Sequence, residues 1–496
     1  MSTQTSSAAS PPDAAARPRR HVCNFIAAGC LQLIAVVAPL LILLLMARAY
    51  DLDSFGRYSV ALAFVNLMSV FFALGVGSTV CFQVAETKPR DYSKQDAICC
   101  AGFLSLLVFS LVASPFLVIV PLLLGYDSQV LQLILILSVG YWFTVVTDMM
   151  NAVFRGRREM HWPLFPAAMV GITTAVVVTP LLLAHESLPK VACVWSCCQL
   201  LGPLTAGLCL RRAGLLRSVQ GLGAQLPLIM RRSLTIGLDS ILYRMGVQTV
   251  TIMLPVLLTV REAGIFNAAS KPLALMVMGN QFIMQFFSPY IASVRYAERE
   301  HLTKRIQLCH KMAFFFTGSV LVGALVFPDV ICQLLFGAKG HQMADYMQLL
   351  SLAFIIYYAP PYSANLKAIG LERQVLWCAV VQWITMVVAL LCLAPSMGVW
   401  GAVIATLLAY SAYWLTEVAL YSLNRLQAVD GISRYLAYLA CTSGCGFLLH
   451  ALMDRNMSIV LYGVGVTLFS FTVYWTPFEI GHARWLLRSS LFPRKA

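Results

Sequence analysis

The chain has 496 residues, of which 59% are hydrophobic and only 11% are charged, and its mean hydropathy is +0.78. An average soluble protein carries about a quarter charged residues. This composition therefore excludes a water-soluble globule and indicates a polytopic membrane protein.

Residues 1–20 are rich in Ser, Ala and Pro and are predicted to form a disordered cytoplasmic tail. The apolar stretch from Asn24 to Met46 follows, and it is too long for a signal-peptide core of about 7–15 residues. About 20 apolar residues cross a bilayer as a helix, so this stretch is the first predicted span. The fourteen predicted spans cover residues 24–46, 58–82, 97–124, 130–154, 163–183, 189–210, 233–258, 263–292, 308–327, 345–366, 374–394, 399–422, 435–453 and 458–478.

The distribution of Lys and Arg supports this map. With the N-terminus inside, the terminal segments and the even-numbered loops hold 27 of the 35 basic residues, and the odd-numbered loops hold six. These totals count Lys190 and Lys311, at the ends of their spans, with the adjoining loops, and the remaining two, Arg244 and Lys271, lie deeper within predicted spans. Cytoplasmic loops carry an excess of positive charge, so both termini are predicted to be cytoplasmic. The net charge of +14 then reflects topology and contact with membrane lipid, and no nucleic-acid partner is expected.

The sequence lacks the motifs of common membrane enzymes and pumps. It contains no GxSxG, HExxH or P-loop pattern, and its longest predicted loop is residues 211–232. Nearly all of the 15 cysteines lie within predicted spans, and the run CVWSCC at 193–198 has no histidine or acid at ligand spacing on its own helix. We therefore expect a transporter without catalytic residues, metal or cofactor, driven by a gradient or by mass action.

Two segments of the chain resemble each other. Residues 48–68 read RAYDLDSFGRYSVALAFVNLM and residues 256–276 read VLLTVREAGIFNAASKPLALM, each with a charged patch, a Gly, an aromatic residue and an apolar run. Six predicted spans separate the copies, so they share an orientation and indicate a parallel repeat. The predicted fold is an all-α polytopic membrane protein of about 14 helices. It comprises a tail (1–20), two parallel six-helix bundles around a central cavity (21–230 and 231–428), and a C-terminal helix pair with a tail (429–496).

The opening ARAYDLDSFGRYSVALAFVNLMSVFFALGVGSTVCFQVAE, residues 47–86, resembles that of Wzx-type oligosaccharide flippases of the polysaccharide-biosynthesis family. Their superfamily also contains the multidrug-and-toxin extruders and the lipid II flippase. The resemblance covers residues 24–425 and the fourteen-span layout. The matching positions are Phe55, Gly56, Tyr58, Gly75, Gly77 and Glu86, followed in EAGIFNAASK by Gly264, Phe266, Ala269 and Lys271.

The resemblance implies a flippase for undecaprenyl-pyrophosphate-linked oligosaccharide repeat units, working by alternating access in a bacterial inner membrane. Its products would serve exopolysaccharide, capsule or O-antigen synthesis, with polysaccharide polymerase or export machinery as further partners. A coupling ion, H⁺ or Na⁺, is left open. Many relatives carry an aspartate where this chain has Gln248, Thr249 and Val250, so a role for that carboxylate is in doubt here.

Polar residues within spans indicate where a hydrophilic groove would run, because such residues are costly in a bilayer and by default functional. Arg244 lies about 16 Å from the inner edge and Lys271 about 12 Å from the outer edge of a core about 30 Å thick. Both cations are thus expected near the midplane, to bind the pyrophosphate or to be neutralised by Asp148. The candidate substrate-binding residues on these helical faces are Arg244, Gln248, Asn267, Lys271, Gln281, Asp148 and Asn151.

The run YYAPPYSAN, residues 357–365, is predicted to break span 10 at its paired prolines. Broken helices in transporters expose backbone groups near the substrate site, so Tyr357, Tyr358 and Tyr362 are candidates for stacking on sugar faces. A kink that only shapes the helix explains the same run.

Two other functions remain compatible with the sequence. One is a cation-coupled extruder of drugs or other small molecules on the same fold, which would require buried carboxylates rather than buried cations. The other is a membrane-embedded glycan polymerase or ligase, against which the short outer loops argue.

Overall fold

The structure, a computed structural model, describes the chain from residue 42 to residue 465 with gaps. The described residues are 42–87, 91–157, 159, 162–215, 222–277, 280, 306–307, 309–311, 313, 317–358, 362–368, 371–424, 440–449, 451, 459, 461–463 and 465. The predicted N-terminal tail, most of span 1, the second part of span 8 and most of span 14 lie outside the described residues.

Every regular element in this described part is a helix, as the sequence predicts. The helices are α1 (42–49), α2 (Leu52–Ala73), α3 (Val76–Glu86), α4 (Tyr92–Ala113), α5 (Phe116–Leu123), α6 (Ser128–Gly156), α7 (Leu164–Leu183), α8 (Leu188–Gln199), α9 (Leu201–Arg212), α10 (Leu222–Leu257), α11 (Val260–Met276), α12 (Ser319–Val326), α13 (Pro328–Phe336), a 3₁₀ turn (Gly337–Gly340), α14 (His341–Tyr358), α15 (Tyr362–Ala368), α16 (Glu372–Met397), α17 (Val399–Leu423) and α18 (Ala440–Leu449).

Seven helical stretches among the described residues are long and apolar enough to cross a membrane. They correspond to predicted spans 2–6, 11 and 12, with boundaries shifted by a few residues. An eighth candidate is α12 together with Pro328–Tyr358, which bend by 86° at Phe327. The chain is therefore a multi-pass membrane protein, and the total of fourteen spans stays a prediction.

Side chains on the outside of the helices are apolar, as expected for contact with lipid. Leu111 is 76% exposed, and Val176, Leu183 and Leu423 are exposed to a similar degree. Exposing such an apolar surface to water is unfavourable, whereas lipid tails are as apolar as these side chains. The exposed apolar surface thus agrees with the composition.

Short polar side chains cap the beginnings of several helices. Asp51 accepts a hydrogen bond from the Ser54 N–H at 3.2 Å at the start of α2. Hydrogen bonding by Ser54, first through its hydroxyl and also through its N–H, lowers the pKa of the Asp51 carboxyl group. Asp127 accepts from the Val130 N–H at 2.8 Å at the start of α6. Thr259 accepts from the Glu262 N–H at 3.3 Å and starts α11. These caps satisfy N–H groups that have no partner within the helix.

The second span is broken in the middle. Leu74 and Gly75 have φ of 37° and 74° and separate α2 from α3. Glycine adopts this left-handed region without steric cost. At the same point Gly237 of α10 packs so tightly against Leu74 that an added Cβ would lie 2.7 Å from the Leu74 carbonyl carbon. The break therefore coincides with a close contact between the two halves of the chain.

The two copies of the repeat contact each other. A Cβ on Gly56 of α2 would lie 2.1 Å from the Val260 carbonyl oxygen, and a Cβ on Gly264 of α11 would lie 2.6 Å from the Leu52 carbonyl oxygen. Gly264 follows Gly56 by 208 residues, and Val260 follows Leu52 by the same 208. The contact is therefore reciprocal, as a pseudo-twofold axis between the copies requires. We call this contact of Leu52, Gly56, Val260 and Gly264 the glycine crossing.

Loops that follow predicted spans 1, 3, 5 and 9 gather around the same end of the protein. The Tyr50 hydroxyl donates to the Glu186 carbonyl, and Arg57 forms an ion pair with Asp127 at 3.3 Å. The Lys339 ammonium donates to the Tyr50 carbonyl at 2.7 Å, which joins the second half of the chain to the end of the first span. The odd-numbered loops thus share one side, as the predicted topology requires.

That topology can be tested with cysteines. In a background without the native cysteines, we expect Ser187→Cys to react with an impermeant thiol reagent added outside intact cells, because Ser187 is exposed at the start of α8. We expect Gly221→Cys, in the predicted cytoplasmic loop, to react only after the membrane is permeabilised. The reversed labelling pattern would contradict the predicted orientation.

Candidate functional site

Arg244 lies within α10, where the second half of the chain packs against α2 of the first half. Its Nη1 donates to Asn66 Oδ1 at 3.4 Å, and Asn66 Nδ2 donates to the Tyr141 hydroxyl at 2.7 Å. Arg244, Asn66 and Tyr141 thus form a polar chain across α10, α2 and α6, and we call it the polar seam. It brings the predicted cation of span 7 to the boundary between the two halves.

Asp148 lies seven residues after Tyr141, two turns further along α6, and its side chain is exposed. Arg155 and Arg244 both interact electrostatically with its carboxylate. Neither guanidinium lies within 4.0 Å of the Asp148 carboxylate, the distance limit of an ion pair. Arg155 Nη2 instead donates to the Asp148 backbone carbonyl at 3.2 Å. The carboxylate therefore lowers the local positive potential without forming a direct contact with Arg244.

Lys271 lies on α11 with its side chain partly exposed. Within the described part of the chain, no carboxylate lies within 4.0 Å of Lys271 or of Arg244. In the predicted spans 7 and 8, an unpaired cation would cost several kcal/mol, so this placement would suit both side chains to an anionic partner. The structure shows no contact between the two cations themselves.

Gln248 and Asn267 are both buried. The Thr251 hydroxyl donates to Asn267 Oδ1 at 3.2 Å, and Asn267 Nδ2 donates to the Ala263 carbonyl at 2.9 Å. The Asn267 amide is thus engaged in joining α10 to α11 and is not free for a substrate in this conformation. Gln281 lies outside the described residues.

The three tyrosines of span 10 pack against neighbouring aromatic rings in this conformation. Tyr357 stacks on Tyr410 with ring centroids 4.3 Å apart, and Tyr358, which is half-buried, packs edge-on against Tyr357 at 4.5 Å. Tyr362 is 1% exposed and packs against Tyr421 and His310, each at 4.7 Å. Stacking of these rings on sugar faces stays a prediction.

α14 extends to Tyr358 and α15 begins at Tyr362, while residues 359–361, with both prolines, lie outside the described residues. The break of span 10 at its prolines therefore stays a prediction. Asn280 Nδ2 donates to the Tyr358 carbonyl, so a side chain from the predicted span 8 satisfies this backbone group.

A cavity of about 240 Å³ lies beside the polar seam, between α6, α7 and α8. Tyr141 and Trp195 form an aromatic wall with ring centroids 5.4 Å apart. The Thr144 hydroxyl donates to Gln199 Oε1 at 3.4 Å. The cavity is lined by Ile42, Tyr141, Thr144, Thr147, Asp148, Asn151, Pro166, Ala167, Val170, Gly171, Thr174, Trp195 and Gln199. The structure thus brings the predicted Asp148 and Asn151 together in one pocket.

Asn66 and Trp195 were not among the predicted site residues. The sequence could have identified Asn66, since after Arg57 it is the only residue of α2 with an amide or charged side chain. The sequence could not have identified Trp195, because a Trp in an apolar span is ordinarily a packing residue. Among the described residues, no group of three or more His, Cys, Asp or Glu side chains could hold a metal ion.

Comparisons with solved structures identify the fold. The lipid II flippase MurJ in an inward closed conformation is 16% identical, with a TM-score of 0.69 over 91% of this chain and 98% of that protein. An inward-facing multidrug resistance MATE family transporter of the MOP superfamily is 14% identical, with a TM-score of 0.61 over 82% and 99%. A MOP superfamily transporter from Pyrococcus furiosus is 15% identical, with a TM-score of 0.61 over 83% and 96%.

A comparison with proteins of curated function finds no match. The family model for polysaccharide biosynthesis proteins matches residues 22–295, more than half of the chain. This match covers the first copy of the repeat, the polar seam and the glycine crossing, and the fold agrees with it. The chain belongs to the polysaccharide biosynthesis protein family.

Proposed function

We propose that this protein flips undecaprenyl-pyrophosphate-linked oligosaccharide repeat units across the bacterial inner membrane, for exopolysaccharide, capsule or O-antigen synthesis. The observation that carries the proposal is Arg244, a cation within a membrane helix whose described hydrogen bond is to a neutral amide. A pyrophosphate supplies the missing negative charge, and a guanidinium matches phosphate oxygens with paired donors. Lys271 provides a second cation, and among the described residues no carboxylate contacts it.

The family and the fold support a lipid-linked substrate. Polysaccharide biosynthesis requires that sugars made inside the cell reach the outer face of the membrane, and their polar headgroup cannot cross about 30 Å of hydrocarbon unaided. The structure with the TM-score of 0.69 is that of a lipid II flippase. A polar seam between two halves of the chain offers the hydrophilic route that such a headgroup needs.

The glycine crossing supports alternating access. It closes the boundary between α2 and α11 at one end of the protein, and the predicted topology places that end on the outer side. For a substrate to leave on that side, the two helices must separate, and for the cycle to reset they must meet again. Close backbone contact through glycines lets the closed state form without side chains between the helices.

Asp148 favours a second candidate, an extruder of organic cations on the same fold. Its carboxylate is exposed within the bundle and has no ion-pair partner within 4.0 Å among the described residues. A cationic drug would bind to it, whereas Arg244 would repel such a substrate. The sign of the transported headgroup therefore separates the two functions.

Proteoliposomes test the proposal. We expect the purified protein to move the lipid-linked oligosaccharide, extracted from cells that lack this chain, to the opposite leaflet, where an added glycosidase digests it. The matched control is the Arg244→Ala protein in the same vesicles. Transport of organic cations without movement of the lipid-linked oligosaccharide would contradict the proposal and favour the extruder.

A further inference from the structure

We propose that the cavity between α6, α7 and α8 binds one sugar ring of the lipid-linked substrate. Trp195 and Tyr141 provide its aromatic wall, and Asp148, Asn151 and Gln199 accept or donate hydrogen bonds to sugar hydroxyls. The inference rests on the proposed flippase function and adds a specific subsite to it. We call this cavity the sugar pocket.

The size of the pocket suits a single ring. Its volume of about 240 Å³ lies below the roughly 300–1,000 Å³ of pockets for drug-sized ligands. A site for a bare cation places its oxygen ligands about 2.3–2.6 Å from the ion, so it encloses a much smaller volume than this pocket. The pocket is thus too small for a whole repeat unit and too large for an ion alone.

The aromatic wall is held in place. A Cβ on Gly140 would lie 2.6 Å from Trp195 Cζ3, so the indole packs directly against the backbone of α6. The neighbouring Tyr141 ring is tilted by 39° to the indole, and Asn66 fixes its hydroxyl at 2.7 Å. A fixed aromatic face contacts the C–H face of a pyranose with little loss of side-chain freedom.

One buried polar atom of the pocket lacks a protein partner. Asn151 is only 7% exposed, and its Oδ1 has no hydrogen-bond partner within the described part of the chain. A buried polar atom left without a hydrogen bond is unfavourable. Sugar hydroxyls both donate and accept, so a bound ring provides partners for Asn151 and for the exposed Asp148 carboxylate.

The pocket is also joined to the proposed pyrophosphate site. Tyr141 lines the pocket, and its hydroxyl accepts from Asn66, whose other amide atom accepts from Arg244. A headgroup with its pyrophosphate at Arg244 therefore has a sugar within reach of the pocket. This arrangement predicts that the pocket contributes to affinity only when the lipid carries sugar.

Binding to the purified protein in lipid nanodiscs tests the inference with two radiolabelled probes. One is the lipid-linked oligosaccharide extracted from cells that lack this chain, and the other is bare undecaprenyl pyrophosphate. We expect Trp195→Leu to weaken binding of the first probe about ten-fold, because leucine removes one of the two rings of the aromatic wall. Binding of the second probe should be unchanged. The matched control is Trp377→Leu, since Trp377 is 62% exposed on the outer surface of α16.

The outcomes separate this inference from the proposed function. Wild-type protein that binds neither probe contradicts the flippase proposal itself. Wild-type protein that prefers the oligosaccharide, with the same preference in Trp195→Leu, overturns the sugar pocket alone. An equal loss of both probes also overturns it, as does a loss that the Trp377→Leu control reproduces. If Asn151→Ala changes only the Na⁺ or proton dependence of binding, the pocket binds an ion rather than a sugar. That result overturns the inference too.

Discussion

Replacing Arg244 by alanine should reduce transport of the lipid-linked oligosaccharide by about ten- to a hundred-fold. A hydrogen bond to a charged group contributes about 1.5–3 kcal/mol, and each 1.4 kcal/mol is a factor of ten. The folded protein should remain abundant, because the described contact that Arg244 makes is a 3.4 Å bond to the neutral Asn66. Flipping in proteoliposomes and the amount of purified protein are the two measurements.

Arg244→Lys should retain part of the activity. Lysine keeps the positive charge but binds phosphate as a point charge rather than through paired donors. Arg232→Ala is the matched control on the same helix, since Arg232 pairs with Glu86 at 3.3 Å on an exposed surface. Exposed ion pairs contribute at most about 1 kcal/mol, so this control should transport normally.

The rival explanation is a structural role in which Arg244 offsets the charge of Asp148. It predicts that Arg244→Ala fails because an unbalanced carboxylate remains, and that adding Asp148→Ala restores transport. The two groups interact without an ion-pair contact. We therefore expect the double variant to stay inactive, and restored transport would contradict the pyrophosphate site.

The positions of the helices could be predicted from the sequence because the bilayer imposes a length on every apolar run. Predicted spans 4 and 5 agree with α6 and α7 to within two residues. The break at Leu74 and Gly75 and the 86° bend at Phe327 were not predicted. Both occur inside or beside long apolar runs, where hydropathy gives no signal and the backbone conformation depends on tertiary contacts.

The candidate site could be predicted only in part. Arg244, Lys271 and Asp148 were identifiable because an ionisable residue in a membrane helix is costly wherever it points. Their partners were not, since the bonds from Arg244 to Asn66 and from Asn66 to Tyr141 join residues far apart in the sequence. The surroundings of Tyr362 could not be predicted either, because a single sequence does not reveal whether an aromatic ring faces a groove or packs on another ring.

The repeated segment of the sequence has a structural explanation in the glycine crossing. Its two glycines are positions at which the N-terminal parts of α2 and α11 approach closely, each against a backbone carbonyl of the other helix. No other residue fits there without moving the helices apart, since every other side chain begins with a Cβ. The lysine of the second copy, Lys271, lies two turns further along α11, beyond this contact.

Replacing either glycine by alanine should therefore shift the protein toward the conformation that is open at this end, and should lower transport about ten-fold or more. Alanine favours a helix over glycine by about 1 kcal/mol, so helix propensity acts against the expected loss. Overpacking at a tight contact costs about 1–3 kcal/mol, and a Cβ at Gly56 would lie 2.1 Å from the Val260 carbonyl oxygen. The matched control is Gly207→Ala, because a Cβ there has no neighbour within 4 Å.

Spin labels at Asp53 and Arg261 would measure the opening directly, since both residues are exposed in the first turns of α2 and α11. These positions are also 208 residues apart, so the labels report symmetrically on the two copies of the repeat. We expect longer distances between the labels in Gly56→Ala and Gly264→Ala than in the wild type or in Gly207→Ala. Full transport with unchanged distances would show that the crossing is only a packing contact, because a gate must respond when its closest contact is forced apart.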